Sequence, residues 1–433
     1  MATVSYSLVH PAVAQTDPGP VAPYMFWLMF RNIASDGLVF EDPVNAGVLS
    51  RPGCVLAAPS WANPDSGVSQ DYIYNWTRDA AIVAIELAAG PLPGYQPLVD
   101  YVLFAQACQE SGGDFDRGSY LIDATPRNWS DQSDGPALQT LALLQLYSQL
   151  DEPTQAIASA LITANLNFLA EAYQRTTTNL WEEETGASFF ARSVQLRCFQ
   201  AVTANSSGIG VPGWLSTAIG WLGNALAGHW NGQYYQSVLP VPADSRAPYD
   251  PNIDIVMAAV YGAVAFTDTK MLATAAQLRT QWADPSSPYY YPINGADQPR
   301  GIGPLLGRYP GDTYDGDNDA PGIDHPWAVS TANFAELYYR LANVITTIGS
   351  VPFDDLSAGF FGQAGVQASA TPADAAAALR ASGDQMLRAI VFHSDHLELS
   401  EQFDATTGYE KSVANLSWSY ASYLSAVRAR SQG

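Results

Sequence analysis

Three consecutive carboxylates, Glu182, Glu183 and Glu184, follow Trp181 directly and precede an apolar run that opens at Phe189. A carboxyl set beside an indole and crowded by like charge holds its proton more tightly, which suits a general acid. Taken alone, acids favoured by a helix N-terminus are the simpler reading of this run. A second carboxylate, Glu401, lies far along the chain in the loop-like segment 399–404. Hydrolysis of a glycosidic bond needs two carboxylates on separate elements, flanking the bond. The segment 71–79 supplies Tyr72, Tyr74, Trp76, Arg78 and Asp79 on a loop running into a helix. Rings of this kind stack on the apolar faces of sugars, and an Arg with an Asp can hydrogen-bond several hydroxyls at once. The segment 307–314 again pairs an Arg, Arg308, with Tyr309 and Tyr314. Behind it Asp315, Asp317 and Asp319 alternate as calcium ligands do, but without the Glu that an EF-hand carries at its twelfth loop position. A solvated acidic loop is the simpler expectation there.

Other chemistries find no support. A Gly-x-Ser-x-Gly elbow and a phosphate-binding glycine loop are absent from the sequence. Its three cysteines, Cys54, Cys108 and Cys198, show no zinc spacing and allow one disulfide at most. The five His are scattered. The formal net charge is −23, which excludes general nucleic-acid binding and disfavours anionic membranes. A neutral substrate suits such a field, and 11 Trp and 23 Tyr suit a sugar.

These residues must be positioned by helices. Apolar spacing predicts twelve, over 21–33, 77–89, 95–110, 135–150, 153–173, 189–204, 213–230, 252–266, 269–282, 327–348, 372–392 and 413–430. Asp134, Asp151 and Thr371 stand at helix starts as caps, each followed within two residues by Pro. Long loops rich in Gly, Pro and Asn separate the helices at 41–75, 112–133, 234–249 and 286–325. Nothing reads as a linker or an internal repeat, and no apolar run is long enough to span a bilayer. The expectation is one all-α domain with helices paired in two layers and loops gathered at one end. An irregular helical solenoid is the alternative. The N-terminus carries an Ala-Val-Ala but no basic segment ahead of it, so a signal peptide is not expected.

Six segments, in order, resemble those of glycoside hydrolase family 15, the fungal and yeast glucoamylases. They are YIYNWTRDAA at 72–81, SDGPALQTLA at 133–142, LWEEETGASFFARSVQLR at 180–197, GRYPGDTY at 307–314, HPWAVSTANFAELYYRL at 325–341 and SEQFDATTGYEKSVANLSWSYASYLSA at 400–426. The resemblance implies an (α/α)6 barrel, a six-hairpin toroid. It implies exo-acting release of β-D-glucose, with inversion, from non-reducing ends of α-1,4-linked glucans and more slowly α-1,6-linked ones. By motif match Glu182 is the general acid and Glu401 the general base. Glu183, Arg78, Asp79 and Arg308 would hold sugar hydroxyls, while Tyr72, Trp76, Trp181, Trp327 and Trp418 would line the pocket. No cofactor and no metal are implied, and an extracellular monomer acting on an α-glucan is. Residues 1–433 read as a single catalytic domain without a starch-binding domain. The family's Trp six residues before the DGPA aspartate is Asn128 here, and Trp129 stands one residue closer. Dextran or trehalose hydrolysis on the same barrel, and a non-catalytic sugar-binding module, stay open as alternatives.

Overall fold

Some helices of this chain bury residues on nearly every side, and others bury a single stripe; that division decides the architecture. The structure, a computed structural model, describes residues 17–59, 71–92, 94–112, 118–205, 208–242, 248–317 and 322–433. Among them the α-helices are α1 Ala22–Phe30, α2 Thr77–Ala89, α3 Gln96–Glu110, α4 Asp134–Leu146, α5 Glu152–Ala172, α6 Phe189–Ala204 and α7 Leu215–Ala227. They continue with α8 Asp254–Val260, α9 Thr269–Ala283, α10 Pro292–Asp297, α11 Ala328–Ile348, α12 Ala358–Gln363, α13 Pro372–His393 and α14 Ser417–Ser431. In α11 every residue from Ala328 to Tyr339 is buried, and in α8 every residue is. By contrast α5 buries Ala158, Leu161, Ile162, Leu166 and Leu169, one face at helical spacing.

The all-round helices form the inner layer. α2 packs on α4, α4 on α6, α6 on α8, α8 on α11, α11 on α14, and α14 back on α2, so the ring closes. Around it α1 lies against α14, α3 against α2, α5 against α4, α7 against α6, α9 against α8 and α13 against α11. This is the expected two-layered (α/α)6 arrangement. The chain enters each inner helix from the same end, so the loops ahead of α2, α4, α6, α8, α11 and α14 share one mouth.

All twelve helices expected from spacing are present; those over 77–89 and 189–204 match at both ends, and the others have shifted ends. The helix expected over 252–266 is only α8, and just beyond it Gly262 lies against α6, where a Cβ would lie 2.2 Å from Ser193 Oγ. α10 and α12 have six residues each, too few to show a period. Asp151 and Thr371 cap as expected, accepting from the Thr154 and Asp374 N–H groups. Asp134 does not cap; it is the first residue of α4 and turns its carboxylate to Arg78. Short strands, unexpected in the sequence, brace the mouth. β1 Asn75–Trp76 pairs with β2 Ser119–Tyr120; β3 Thr177–Thr178, β4 Thr185–Ser188 and β5 Val238–Leu239 form a sheet; β6 Gln402–Phe403 pairs with β7 Glu410–Lys411. The three cysteines are buried free thiols.

Burial leaves a pH signature. It pushes the carboxyls of Asp79 and Asp250 up to about 6, and those of Asp254, Asp324 and Glu410 up to about 7. Unfolded, these groups titrate near 4. Between about pH 4 and 7 the native state therefore holds more protons than the unfolded one, and stability falls as pH rises through that window. His229, pushed down to about 4 by burial, and His325, also pushed down by burial, have the opposite sign but are two groups against five. Asp151 and Asp354, held low by hydrogen bonds from Thr154 and Ser357, lose stability only in stronger acid. Thermal melts are expected to give a higher Tm near pH 4.5 than near pH 7.5; a Tm that rises across that interval would contradict this.

Candidate active site

The loops ahead of the inner helices enclose a cavity of about 360 Å³. Its walls include Tyr72, Trp76, Arg78, Asp79, Trp181, Glu182, Glu183, Arg308, Trp327, Glu401 and Trp418, so the residues singled out in the sequence come together. Asp71, Trp129, Tyr314 and Asp315 line it as well.

Glu182 stands on a turn tied by Asn179. The Asn179 carbonyl accepts the Glu182 N–H at 3.0 Å, and its side-chain oxygen accepts the N–H groups of Glu183 and Glu184 at 3.0 and 3.1 Å. These bonds hold Glu182 at φ 63°, a conformation that costs a non-glycine residue on the order of 1–3 kcal/mol. Its carboxylate meets only donors. Oε1 accepts from Trp76 Nε1 at 2.9 Å and Gln132 Nε2 at 2.7 Å, and Oε2 from Trp129 Nε1 at 2.7 Å. Arg78 Nη2 lies 3.6 Å from Oε1. Such a set stabilises the carboxylate left behind once a proton has been given up.

Trp181 and Glu183 line the cavity as expected of pocket residues, but they turn to partners other than the Glu182 carboxylate. Trp181 donates to Asn252 Oδ1 at 2.9 Å and packs its ring on Trp327 and Trp418. Glu183 turns to Arg308 Nη2 at 2.8 Å and Tyr309 Oη at 3.0 Å. Surrounding protein pushes its carboxyl up against the pull of Arg308. The indoles that reach Glu182 are Trp76 and Trp129. Trp129 thus brings its ring to Glu182 despite its one-residue offset.

Glu401 is buried, not in an open polar loop. Its Oε1 accepts from Tyr72 Oη at 2.8 Å and Oε2 from Ser412 Oγ at 2.6 Å. Burial pushes the carboxyl up, and the two hydroxyls pull it back in part. Ser412, at φ 65°, is backed by Gly316, where a Cβ would lie 1.8 Å from Ser412 Oγ. Trp327 bridges to Gln402, and the Ala328 N–H donates to the Glu401 carbonyl at 3.1 Å, tying the entry of α11 to the Glu401 strand.

Two buried arginines sit in the wall. Arg308 makes two bonds to Asp312, at 2.7 and 2.8 Å, and its guanidinium lies over Trp327 at 4.7 Å and Tyr314 at 5.1 Å. Arg78 donates to Gln132 and to Asp134 at 3.2 Å and lies over Trp418 at 5.4 Å. Burial works against the Arg78 charge, but Asp134, Asp79 and Glu182 hold it above its usual range. Asp79 Oδ2 and Arg78 Nε lie 3.5 Å apart as an ion pair without a hydrogen bond, and Trp327 Nε1 is buried with no hydrogen-bond partner. Unpartnered polar atoms of this kind are costly unless a hydroxylated ligand meets them.

The acidic stretch behind Tyr314 is an ion pair, as Lys411 Nζ reaches Asp315 at 2.5 Å and Asp317 at 2.9 Å. Asp319 lies outside the described residues. Among the described residues no group of three or more His, Cys, Asp or Glu is placed to hold a metal. Sequence reasoning missed Gln132 and Ser412. Gln132 stands just ahead of the DGPA segment, whereas Ser412 carries no local signal.

The family model described as Glycosyl hydrolases family 15 matches residues 27–111 and 128–428. The chain is 27% identical over 431 residues to a glucoamylase of Blastobotrys adeninivorans, across 88% of this chain and 68% of that protein. It is 25% identical over 444 residues to a probable glucoamylase of Schizosaccharomyces pombe, across 93% and 88%. The family 15 glucoamylase structure from Hypocrea jecorina superposes with a TM-score of 0.78 at 25% identity, covering 95% of this chain and 71% of that one. The Saccharomycopsis fibuligera glucoamylase structure gives 0.79 at 22% identity over 100% and 98%, a likeness of fold.

Proposed function

The chain belongs to glycosyl hydrolase family 15, and from that premise we propose that it releases glucose from the non-reducing ends of α-1,4-linked glucans by an inverting mechanism, with Glu182 as general acid and Glu401 as general base. The observation that carries the assignment is that Glu182 and Glu401, from segments far apart in the chain, line one cavity. Glu182 is ringed by N–H donors, and Glu401 by two hydroxyls in a buried setting. Protonated Glu182 gives its proton to the glycosidic oxygen as the bond to the anomeric carbon breaks. The three N–H groups then stabilise its anion. Ionised Glu401 takes a proton from the water that attacks the opposite face, and the product is the β-anomer. Arg78, Asp79 and Arg308 grip the terminal sugar, with Glu183 beside Arg308. The rings of Tyr72, Trp76, Trp181, Trp327 and Trp418 enclose it.

A polymeric substrate and a net charge of −23 support action outside the cell, as a monomer. Among the described residues no helix is long and apolar enough to cross a membrane. The test is a rate panel on maltose, maltooligosaccharides of increasing length, isomaltose, panose and trehalose. Glucose is expected as the sole first product, with α-1,4-linked substrates cleaved fastest. Preference for trehalose or isomaltose would overturn the linkage assignment, and internal cleavage products would overturn exo-action.

A further inference from the structure

The two indole N–H groups that hold Glu182 come from separate loops, and one cation lies on both rings. Arg127 places its guanidinium 4.3 Å from the ring centre of Trp129 and 5.2 Å from that of Trp76. It lies 4.2 Å from the Tyr74 ring as well. The two indoles meet edge to face, 5.7 Å apart at 90°. The guanidinium is itself anchored: Nη1 donates to Ser119 Oγ at 3.1 Å, and Nη2 pairs with Asp71. Its side chain is 11% exposed. Ser119 is the register partner of Trp76 in the β1–β2 pair, so the anchor and one of the rings share a strand pair.

We propose that Arg127 is a positioning residue for the general acid, fixing the Trp76 and Trp129 rings so that both N–H groups aim at Glu182. The proposal rests on the acid assignment of the preceding section. Trp129 lies in the irregular stretch 128–133 ahead of α4, where no helix or strand fixes its rotamer. A desolvated cation on a ring face restrains the ring in plane and depth, and a guanidinium can stack on several rings while forked to a carboxylate. Trp129 holds Glu182 Oε2, and Trp76 shares Oε1 with Gln132. Without Arg127 the Glu182 anion forming in the transition state loses aligned donors. The loss therefore falls on the step that needs the acid.

That predicts a split between substrates. Arg127→Met keeps the buried stem and removes the charge. On maltose kcat is expected to fall by roughly 10-fold to 30-fold, with KM changed by less than about threefold. On α-glucosyl fluoride, whose leaving group needs little protonation, kcat is expected to fall by less than about threefold. Arg127→Lys, which keeps a cation near the rings, is expected to recover part of the loss on maltose. Equal losses on the two substrates, or no loss on maltose in a variant with a normal melt, would overturn the proposal. Should Arg127→Met fail to fold, Asp71→Asn releases the anchor and must show the same split; its absence would count equally against the idea. A wild-type enzyme that hydrolyses neither substrate would instead remove the reading of the site on which the proposal rests.

Discussion

Glu182→Gln is expected to lower kcat on maltooligosaccharides by roughly 10²–10⁴-fold while leaving a much larger share of activity on α-glucosyl fluoride. The amide is isosteric but has no proton of suitable acidity for the leaving oxygen. Fluoride departs with little help, so the same variant should lose less there. The structure adds a second consequence. Both carboxylate oxygens accept N–H bonds, from Trp76 and Gln132 on one side and Trp129 on the other. An amide can offer its oxygen to one side only, so its NH₂ faces an N–H on the other. Leaving such a donor unpaired costs on the order of 1–3 kcal/mol. Glu182→Gln should therefore also melt at a lower temperature than the wild type. Wild-type rates on maltooligosaccharides would remove Glu182 from the role of acid.

Glu401→Gln is expected to lose a comparable factor, but on both kinds of substrate, because the attacking water needs a base whatever leaves. Its buried setting sets the direction of the pH dependence. A base acts when ionised, so activity is lost as pH falls through its pKa. Burial pushes the Glu401 carboxyl up, so the acidic limb of kcat/KM should lie above the usual range for Glu. Ser412→Ala removes one hydroxyl that favours the ionised form, and should move that limb to still higher pH. A limb unmoved by Ser412→Ala would contradict the coupling seen between Ser412 Oγ and Glu401 Oε2.

The helices were legible in the sequence from apolar spacing, whereas ring closure came from the resemblance to family 15, since spacing alone left an irregular solenoid open. The carboxylates and arginines were legible as types in clusters. Their partners were not. Spacing placed Trp181 and Glu183 next to Glu182 along the chain, yet a residue at φ 63° on a tied turn faces other loops, and Trp76 and Trp129 are what it meets. Glu401 was legible as a second carboxylate in a loop-like segment, but nothing in 399–404 reveals that Tyr72 and Ser412 cover it. The strands escaped notice because two- to four-residue pairs carry no alternation to read. Arg127 looks like an isolated loop cation until the β1–β2 pair brings Ser119, and the fold brings Asp71, to it.

The account turns on an acid and a base acting from opposite faces of one sugar ring, so the configuration of the first product tests it most directly. Proton NMR of the wild-type enzyme on maltotriose or maltotetraose, recorded before mutarotation, should show the β-glucose anomeric signal rising first and the α signal following only as the solution equilibrates. Early α-glucose would mean a covalent intermediate on one carboxylate, and would contradict the assignment of Glu401 as base.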